Sequence, residues 1–84
     1  MTNQPNDPTS HIVIRGYAAE RCRIRGISRE EVVAVLTSWT TEMPATGGPP
    51  TRRARMGTVN GVGIKVVFEP RPDGTIFVVT VHKT

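Results

Sequence analysis

The end of the chain constrains the fold most strongly, because it reads as two β-strands joined by a tight turn. Residues 60–69 and 75–83 are rich in β-branched and aromatic side chains, and the turn sequence Pro70-Arg71-Pro72-Asp73-Gly74 lies between them. This combination predicts an antiparallel hairpin. A hairpin with one apolar face must bury that face against other elements, so we expect the rest of the chain to cover it.

The alternation of side chains between the two faces of a strand predicts which residues of this hairpin meet. In the first strand, one face carries Ile64, Val66 and Phe68, and the other carries Lys65 and Val67. In the second strand, one face is predicted to carry Phe77, Val79 and Val81, and the other Ile76, Val78, Thr80 and His82. If each strand buries its more apolar side, Lys65, Thr80 and His82 meet on the solvent-facing side, where we expect function.

Two helices are predicted ahead of the hairpin. Residues 17–25 have a helix-forming composition, and Gly26 supplies a C-terminal stop. Ser28 and Glu31 have the spacing of a capping box, so a second helix is expected to begin there. This second helix is predicted to end near residues 38–39.

Three further segments complete the predicted fold. Residues 11–15 form a short strand that is expected to join the sheet edge, and residues 52–59 form a strand ahead of the Asn60-Gly61 turn. Residues 39–51 contain clustered glycines and prolines and are predicted to be a loop. The predicted fold class is α+β: an N-terminal strand, two helices and a three-stranded antiparallel meander, with the helices packed on one face of the sheet.

The strand at residues 52–59 is predicted to add cations to the solvent-facing side. Ala54 and Met56 are expected to point to the core. Arg53 and Arg55 then point to the other face, because alternate residues of a strand face opposite ways. We therefore expect both arginines to lie beside the polar cluster of the hairpin.

The composition favours a polyanionic partner. Eleven Lys and Arg residues against seven Asp and Glu residues give a net charge of +4, which favours RNA, DNA or an acidic protein as partner. The single cysteine, Cys22, excludes an intramolecular disulfide and is expected to be a small buried hydrophobe. No spacing of His and Cys suits a zinc site, and we expect neither a metal nor another cofactor.

Length and hydropathy predict how the chain is organised and where it acts. The polar residues 1–10 are expected to be a disordered leader, and residues 11–84 a single domain. No apolar run approaches the ~18–20 residues of a membrane span, and no signal peptide is visible. We therefore expect a cytoplasmic protein with no membrane partner. The alternative is that this sequence is the tip of a larger exported protein.

The first helix carries a motif that resembles a known family. The segment Ala18-x-x-Arg21-Cys22-x-x-Arg25-Gly26-Ile27-Ser28 is similar to the opening motif of a small bacterial domain family. That family was first catalogued as a domain of unknown function and is grouped with the barnase–EndoU–colicin–RelE class of toxin ribonucleases. The similarity spans residues 12–82 and continues through Glu30-Glu31-Val32, the strand with Lys65, the Asp73-Gly74 turn and Val78-Val79-Thr80-Val81.

The resemblance implies a compact helix-plus-sheet fold and metal-independent RNA cleavage by a toxin of a toxin–antitoxin or toxin–immunity system. It implies two partners: an RNA, either tRNA or mRNA, and a cognate antitoxin or immunity protein that we expect to be acidic. The class often ends with Thr or Ser two residues before Tyr or His, and Thr80-Val81-His82 fits that pattern. The family commonly has histidine at the position of Tyr17, so Tyr17, His11 or His82 is expected to serve as the base.

The residue types suit RNA cleavage through the 2′-hydroxyl of the RNA itself, which needs a base, an acid and positive charge. His82 titrates in the range of an acid or base, and Thr80 can donate a hydrogen bond to a phosphate oxygen. Lys65 can hold the phosphate, and Tyr17 can donate a proton or stack on a base. The predicted catalytic residues are therefore His82, Thr80, Lys65 and Tyr17, and the predicted phosphate-binding residues are Arg53, Arg55, Arg21 and Arg25.

A non-enzymatic function is the alternative. Basic residues on an open sheet face are also typical of RNA-binding modules, and a small basic domain can act as a phage-type inhibitor of a nucleoprotein complex. Trp39, the only tryptophan, is expected to anchor the second helix to the sheet, and base stacking is its alternative role.

Overall fold

The computed structural model describes residues 11–84, and the leader predicted at residues 1–10 lies outside the described residues. Seven helices and strands follow one another along this part of the chain. They are β1 (Ile12–Val13), α1 (Tyr17–Arg25), α2 (Arg29–Thr37), β2 (Thr41–Pro44), β3 (Arg53–Val59), β4 (Val62–Pro70) and β5 (Ile76–Lys83).

The strands form one five-stranded mixed sheet in the order β1-β5-β4-β3-β2. Neighbours from β2 to β5 pair antiparallel, and β1 joins the edge of the sheet parallel to β5. The α+β class and the edge position of β1 are thus confirmed. The predicted three-stranded meander is wrong in its count, because β2 adds a fourth antiparallel strand.

The missed strand, β2, lies within the predicted loop 39–51. It pairs with β3 from Thr41 opposite Met56 to Pro44 opposite Arg53. A proline is tolerated in an edge strand because its missing N–H can face away from the ladder. The Gly- and Pro-rich composition that predicts a loop describes only the residues after Pro44.

Both helices pack on the same face of the sheet, and the residues between them form one core. From the helices this core takes Ala18, Cys22, Val32, Val35 and Leu36, and from β4 and β5 it takes Ile64, Val66, Phe68, Val78 and Val81. The predicted packing of the helices on one face is therefore confirmed. The opposite face of the sheet has no helix over it in the part of the chain described here.

The helix ends follow their sequence signals. Gly26 adopts a left-handed conformation with φ 66° at the end of α1, and Ser28 and Glu31 form the complete capping box that begins α2. Each helix has nine residues, and within residues 11–84 no helix is long and apolar enough to cross a membrane.

Removing the cap of α2 is expected to lower the free energy of unfolding by about 1 kcal/mol. The Ser28 hydroxyl accepts a hydrogen bond from the Glu31 backbone N–H at 3.1 Å, and alanine cannot replace it. Urea denaturation of Ser28→Ala measures the loss. Ser28→Thr is the matched control, because threonine keeps the hydroxyl; a loss as large in this control would contradict the assignment.

A β-bulge in β5 determines which of its residues face the helices. Val67 pairs with Thr80 and Phe68 pairs with Val78, so Val79 is the extra residue. The strict alternation predicted from sequence is therefore wrong for the first half of β5. Ile76, Val78 and Val81 face the helices, whereas Phe77, Thr80 and His82 face the open side of the sheet. The bulge thus lets β5 bury both Val78 and Val81.

Candidate phosphate site along β5

Lys65 and His82 are directly opposite each other on β4 and β5. Side chains of directly opposed residues lie on the same face, with Cβ atoms about 5 Å apart. Both residues are half-buried on the side of the sheet away from the helices. The predicted meeting of these two residues is therefore observed, and it places an imidazole beside an ammonium group.

Arg25 reaches this pair from the end of α1. Beyond Phe77 the outer edge of β5 is not paired with β1, and the Arg25 guanidinium donates a hydrogen bond from Nη1 to the Val81 carbonyl at 2.8 Å. The side chain is half-buried, and this hydrogen bond places the guanidinium at the edge of β5, at the residue that precedes His82. Arg25 thus supplies a second cation at the same end of β5 as Lys65.

Partial burial and the two nearby cations lower the pKa of His82 below its ordinary value. Burial disfavours the charged imidazolium, and the positive charges of Arg25 and Lys65 disfavour it further. The imidazole is therefore neutral at neutral pH, in the form that can accept a proton. An anion bound between these cations would reverse their effect on the histidine.

Thr80 lies on the same face, beside the Lys65–His82 pair. It pairs with Val67 on β4, and its hydroxyl oxygen is shielded from solvent. Among residues 11–84, this oxygen has no hydrogen-bond partner. A shielded hydroxyl without a partner is uncommon in folded proteins. Thr80 therefore has a free hydrogen-bonding group on the face where Lys65 and His82 meet.

Tyr17 and Arg21 continue the row of Arg25 on the surface of α1. The three residues are spaced by four, so they lie on one side of the helix. The Arg21 guanidinium lies 5.0 Å from the centre of the Tyr17 ring, and its Nε has no hydrogen-bond partner within the described segment. Tyr17 is 64% exposed and begins the helix, about 12 Å along its axis from Arg25. It extends the site and does not join the Lys65–His82 pair.

Arg53 and Arg55 do not lie on this face, and the prediction that placed them there is wrong. Arg53 pairs with Phe68 and Arg55 with Val66, so both share the face of the helices. Ala54 and Met56, which were predicted to point to the core, pair with Val67 and Lys65 and therefore lie on the open face. Ala54 is nevertheless fully buried, and its directly opposite neighbours on that face are Met43 and Val67.

Both arginines are held by neighbours on the helix face. Glu42 accepts a hydrogen bond from Arg55 at 2.7 Å and from Arg53 at 3.3 Å, and these contacts hold the pKa of its carboxyl below the usual range. Arg55 also donates to the Leu36 carbonyl at the end of α2 and lies over the rings of Trp39 and Phe68. Trp39, two residues after α2, thus contacts Arg55 of β3, while the residue is 42% exposed.

The ion pairs divide ten of the eleven Lys and Arg residues into two sets. The arginines that pair with a glutamate within residues 11–84 are Arg23, Arg52, Arg53 and Arg55. The described cations without a carboxylate partner are Arg15, Arg21, Arg25, Lys65, Arg71 and Lys83. Its members lie on β5, on β4, in the β4–β5 turn, on α1 and, for Arg15, between β1 and α1. Among residues 11–84, the positive charges of this set therefore lie on β5 and on the segments next to it.

Sequence reasoning missed the cations at the start of β5. Arg71 in the β4–β5 turn and Arg15 after β1 lie over the ring of Phe77, at 4.2 Å and 5.9 Å from its centre. The alternation pattern placed Phe77 in the core, so neither arginine was expected to border the open face. Two features of the sequence could have indicated them. Arg71 stands in the predicted turn just before the strand of Phe77, and Arg15 ends the strand predicted to join the sheet edge.

No metal-binding cluster accompanies this site. Within residues 11–84, no group of three or more His, Cys, Asp and Glu side chains could hold a metal ion. Cys22 is buried in α1 as expected, and burial raises the pKa of its thiol. It borders a shallow cavity of about 180 Å³ together with Ile14, Ala19 and Arg29. This cavity lies apart from the Lys65–His82 pair.

No family model, curated protein or solved structure matches this chain.

Proposed function

We propose that the domain is an RNA endonuclease that cleaves without a metal ion, acting as the toxin of a toxin–antitoxin or toxin–immunity system. The observation that carries this proposal is the direct pairing of Lys65 with a neutral His82, with the Arg25 guanidinium beside them. A phosphodiester bound there would meet two cations and a proton acceptor at once. RNA supplies the nucleophile, its 2′-hydroxyl, so the protein needs to supply only these groups.

In the proposed reaction, His82 accepts the proton of the 2′-hydroxyl as that oxygen attacks the adjacent phosphorus. The bond from phosphorus to the 5′-oxygen breaks, and a 2′,3′-cyclic phosphate remains on the upstream fragment. Lys65 and Arg25 stabilise the charge that develops on the phosphate oxygens. The Lys65 ammonium can also give a proton to the leaving 5′-oxygen. Thr80 lies on the same face, but its hydroxyl must become accessible before it can donate a hydrogen bond to the phosphate, because its oxygen is shielded from solvent.

The row on α1 extends the proposed site along the RNA. Arg21 is available to contact a neighbouring phosphate, and the exposed ring of Tyr17 can stack on a base. Tyr17 lies about 12 Å along the helix from Arg25, too far to act on the same phosphate, whereas Arg21 is one turn from Arg25. His11 is also excluded from that phosphate, because it precedes β1 and lies about 20 Å from His82 along β5.

The proposed RNA substrate is tRNA or mRNA, and the proposed protein partner is an acidic antitoxin or immunity protein. The cations that lack carboxylate partners along β5 would suit both, since both present negative charge. Binding of an acidic partner over this surface would block access of RNA to the site.

The test is cleavage of cellular RNA by the purified domain in excess EDTA. The proposal expects cleavage of tRNA or mRNA with 2′,3′-cyclic phosphate ends, which end-specific ligation and sequencing identify. RNA that stays intact, although it binds tightly and in a salt-sensitive way, would overturn the endonuclease proposal in favour of a binding module.

The pH dependence of cleavage follows from the lowered pKa of His82. A general base must be deprotonated, so kcat/KM is expected to rise with pH through an ionisation below the ordinary histidine value of about 6.5. Lys65→Met removes one of the cations that repel the imidazolium, so its midpoint is expected to move to higher pH. A pH profile of kcat/KM for both proteins measures the shift. A midpoint that stays in place, or moves down, would contradict the proposed role.

A further inference from the structure

We propose that Phe77, together with Arg71 and Arg15, forms a nucleobase-stacking subsite for the RNA strand whose phosphate lies at Lys65 and His82. This inference rests on the proposed function, because its ligand is the same RNA. Phe77 faces the open side of the sheet, opposite Glu69, and is half-buried. The Arg71 guanidinium lies 4.2 Å from the centre of its ring and the Arg15 guanidinium 5.9 Å.

A phenyl ring next to guanidinium groups offers the planar surfaces on which unpaired bases stack. Arg71 and Arg15 are exposed, and neither has a carboxylate partner within residues 11–84. Their charge is therefore available to the phosphates next to a stacked base. The carboxylate of Glu69, directly opposite Phe77 on this face, is bonded to Arg52 at 2.7 Å.

The distance between the two places suits a single strand of RNA. Phe77 and His82 lie on the same face of β5. Because Val79 is the extra residue of the bulge, their separation corresponds to four residue steps of an extended strand and not five. Their separation is therefore about 13 Å, which an extended RNA strand spans with a few nucleotides. Thr80 of β5 and its partner Val67 of β4 lie on this face between them. No acidic residue occurs between Phe77 and His82 on β5. The strand would thus run along β5 from the Lys65–His82 pair to Phe77.

The pair of Trp39 and Arg55 also joins an aromatic ring to an arginine, but its charge is not available to bind a phosphate. Arg55 lies 5.5 Å from the Trp39 ring centre, but its charge is neutralised by Glu42. It also lies near the end of α2, on the face opposite to Phe77. Trp39 therefore provides a matched control. It also contacts an arginine, but that arginine is ion-paired, and no strand of RNA on the open face could reach from His82 to Trp39 along β5.

The experiment measures binding of short single-stranded oligoribonucleotides that carry the fluorescent base 2-aminopurine at successive positions. The protein carries His82→Ala, so that the RNA stays intact. We expect fluorescence quenching at one position, a few nucleotides from the cleaved bond. Adding Phe77→Leu is expected to remove that quenching and to weaken binding by about 5- to 150-fold, the value of one base stacked on an aromatic residue. Phe77→Tyr is expected to retain both.

The controls separate this proposal from the proposed function. Trp39→Leu is expected to leave quenching and affinity unchanged, and circular dichroism establishes that each variant is folded. Equal binding by Phe77→Leu, while the wild-type domain still cleaves RNA, would overturn the subsite alone. Loss of binding in Phe77→Leu, while the wild-type domain leaves RNA intact, would support the subsite and overturn the nuclease. Failure of the His82→Ala protein and the wild type to bind RNA, with binding of an acidic protein instead, would overturn both.

Discussion

Replacing His82 with alanine is expected to lower the rate of RNA cleavage by about 10²-fold or more, because it removes the proposed general base. The neutral state of this imidazole and its position opposite Lys65 are the physical reasons for the expectation. Single-turnover cleavage of a defined oligoribonucleotide measures the chemical step. RNA affinity is expected to change much less, because Lys65 and Arg25 remain to hold the phosphate.

The matched control for this experiment is His11→Ala. His11 is the other histidine of the chain, and it precedes β1 at the far end of β5 from His82. Its replacement is expected to leave the rate within about two-fold of the wild type, since it cannot reach the same phosphate. A large loss in His11→Ala with a small loss in His82→Ala would transfer the role of base to His11 and contradict the proposed site.

Replacing Phe68 with alanine is expected to lower the free energy of unfolding by about 3–5 kcal/mol, which is the usual cost of removing a buried aromatic ring. Phe68 is 1% exposed, packs in the core beneath both helices and carries the Arg55 guanidinium at 4.8 Å from its ring centre. Since small domains are only marginally stable, a loss of this size is expected to unfold much of the protein. Urea denaturation followed by circular dichroism measures it.

The control for the core prediction is Val62→Ala at the start of β4. Val62 is 37% exposed, so its truncation is expected to cost well below 1 kcal/mol. Phe68 also lies at the β-bulge that places Phe77 and Thr80 on the same face. A folded Phe68→Ala protein of nearly wild-type stability would contradict the placement of the Phe68 ring in the core between the sheet and the helices.

The local signals of the sequence predicted the ends of elements well, because those signals act within a few residues. The capping box at Ser28, the left-handed Gly26 and the two-residue turn at Asn60-Gly61 are all present in the fold. Asn60 and Gly61 both have positive φ, as a type I′ turn requires. The meeting of Lys65 with His82 was also predicted from the sequence. The bulge does not disturb it, because the register shift begins beyond the next two pairs of the ladder.

What the sequence could not supply was the register of strands that depend on distant partners. The faces of Arg53 and Arg55 were predicted the wrong way round, because an arginine can lie half-buried on a helix-covered face when a carboxylate and a carbonyl accept its hydrogen bonds. The position of Phe77 was missed because a bulge changes the alternation in the middle of a strand. In both cases the contacts that decide the outcome come from other elements, Glu42 on β2 and Phe68 on β4.

In the proposed reaction, RNA supplies its own nucleophile and the β5 surface supplies the base and the cations. An oligoribonucleotide that has 2′-deoxyribose only at the nucleotide preceding the cleaved bond separates these contributions. We expect the domain to bind this RNA as tightly as the unmodified strand but to leave that one bond intact in EDTA. Cleavage at that bond at an unchanged rate would show that another nucleophile acts and would overturn the proposed reaction.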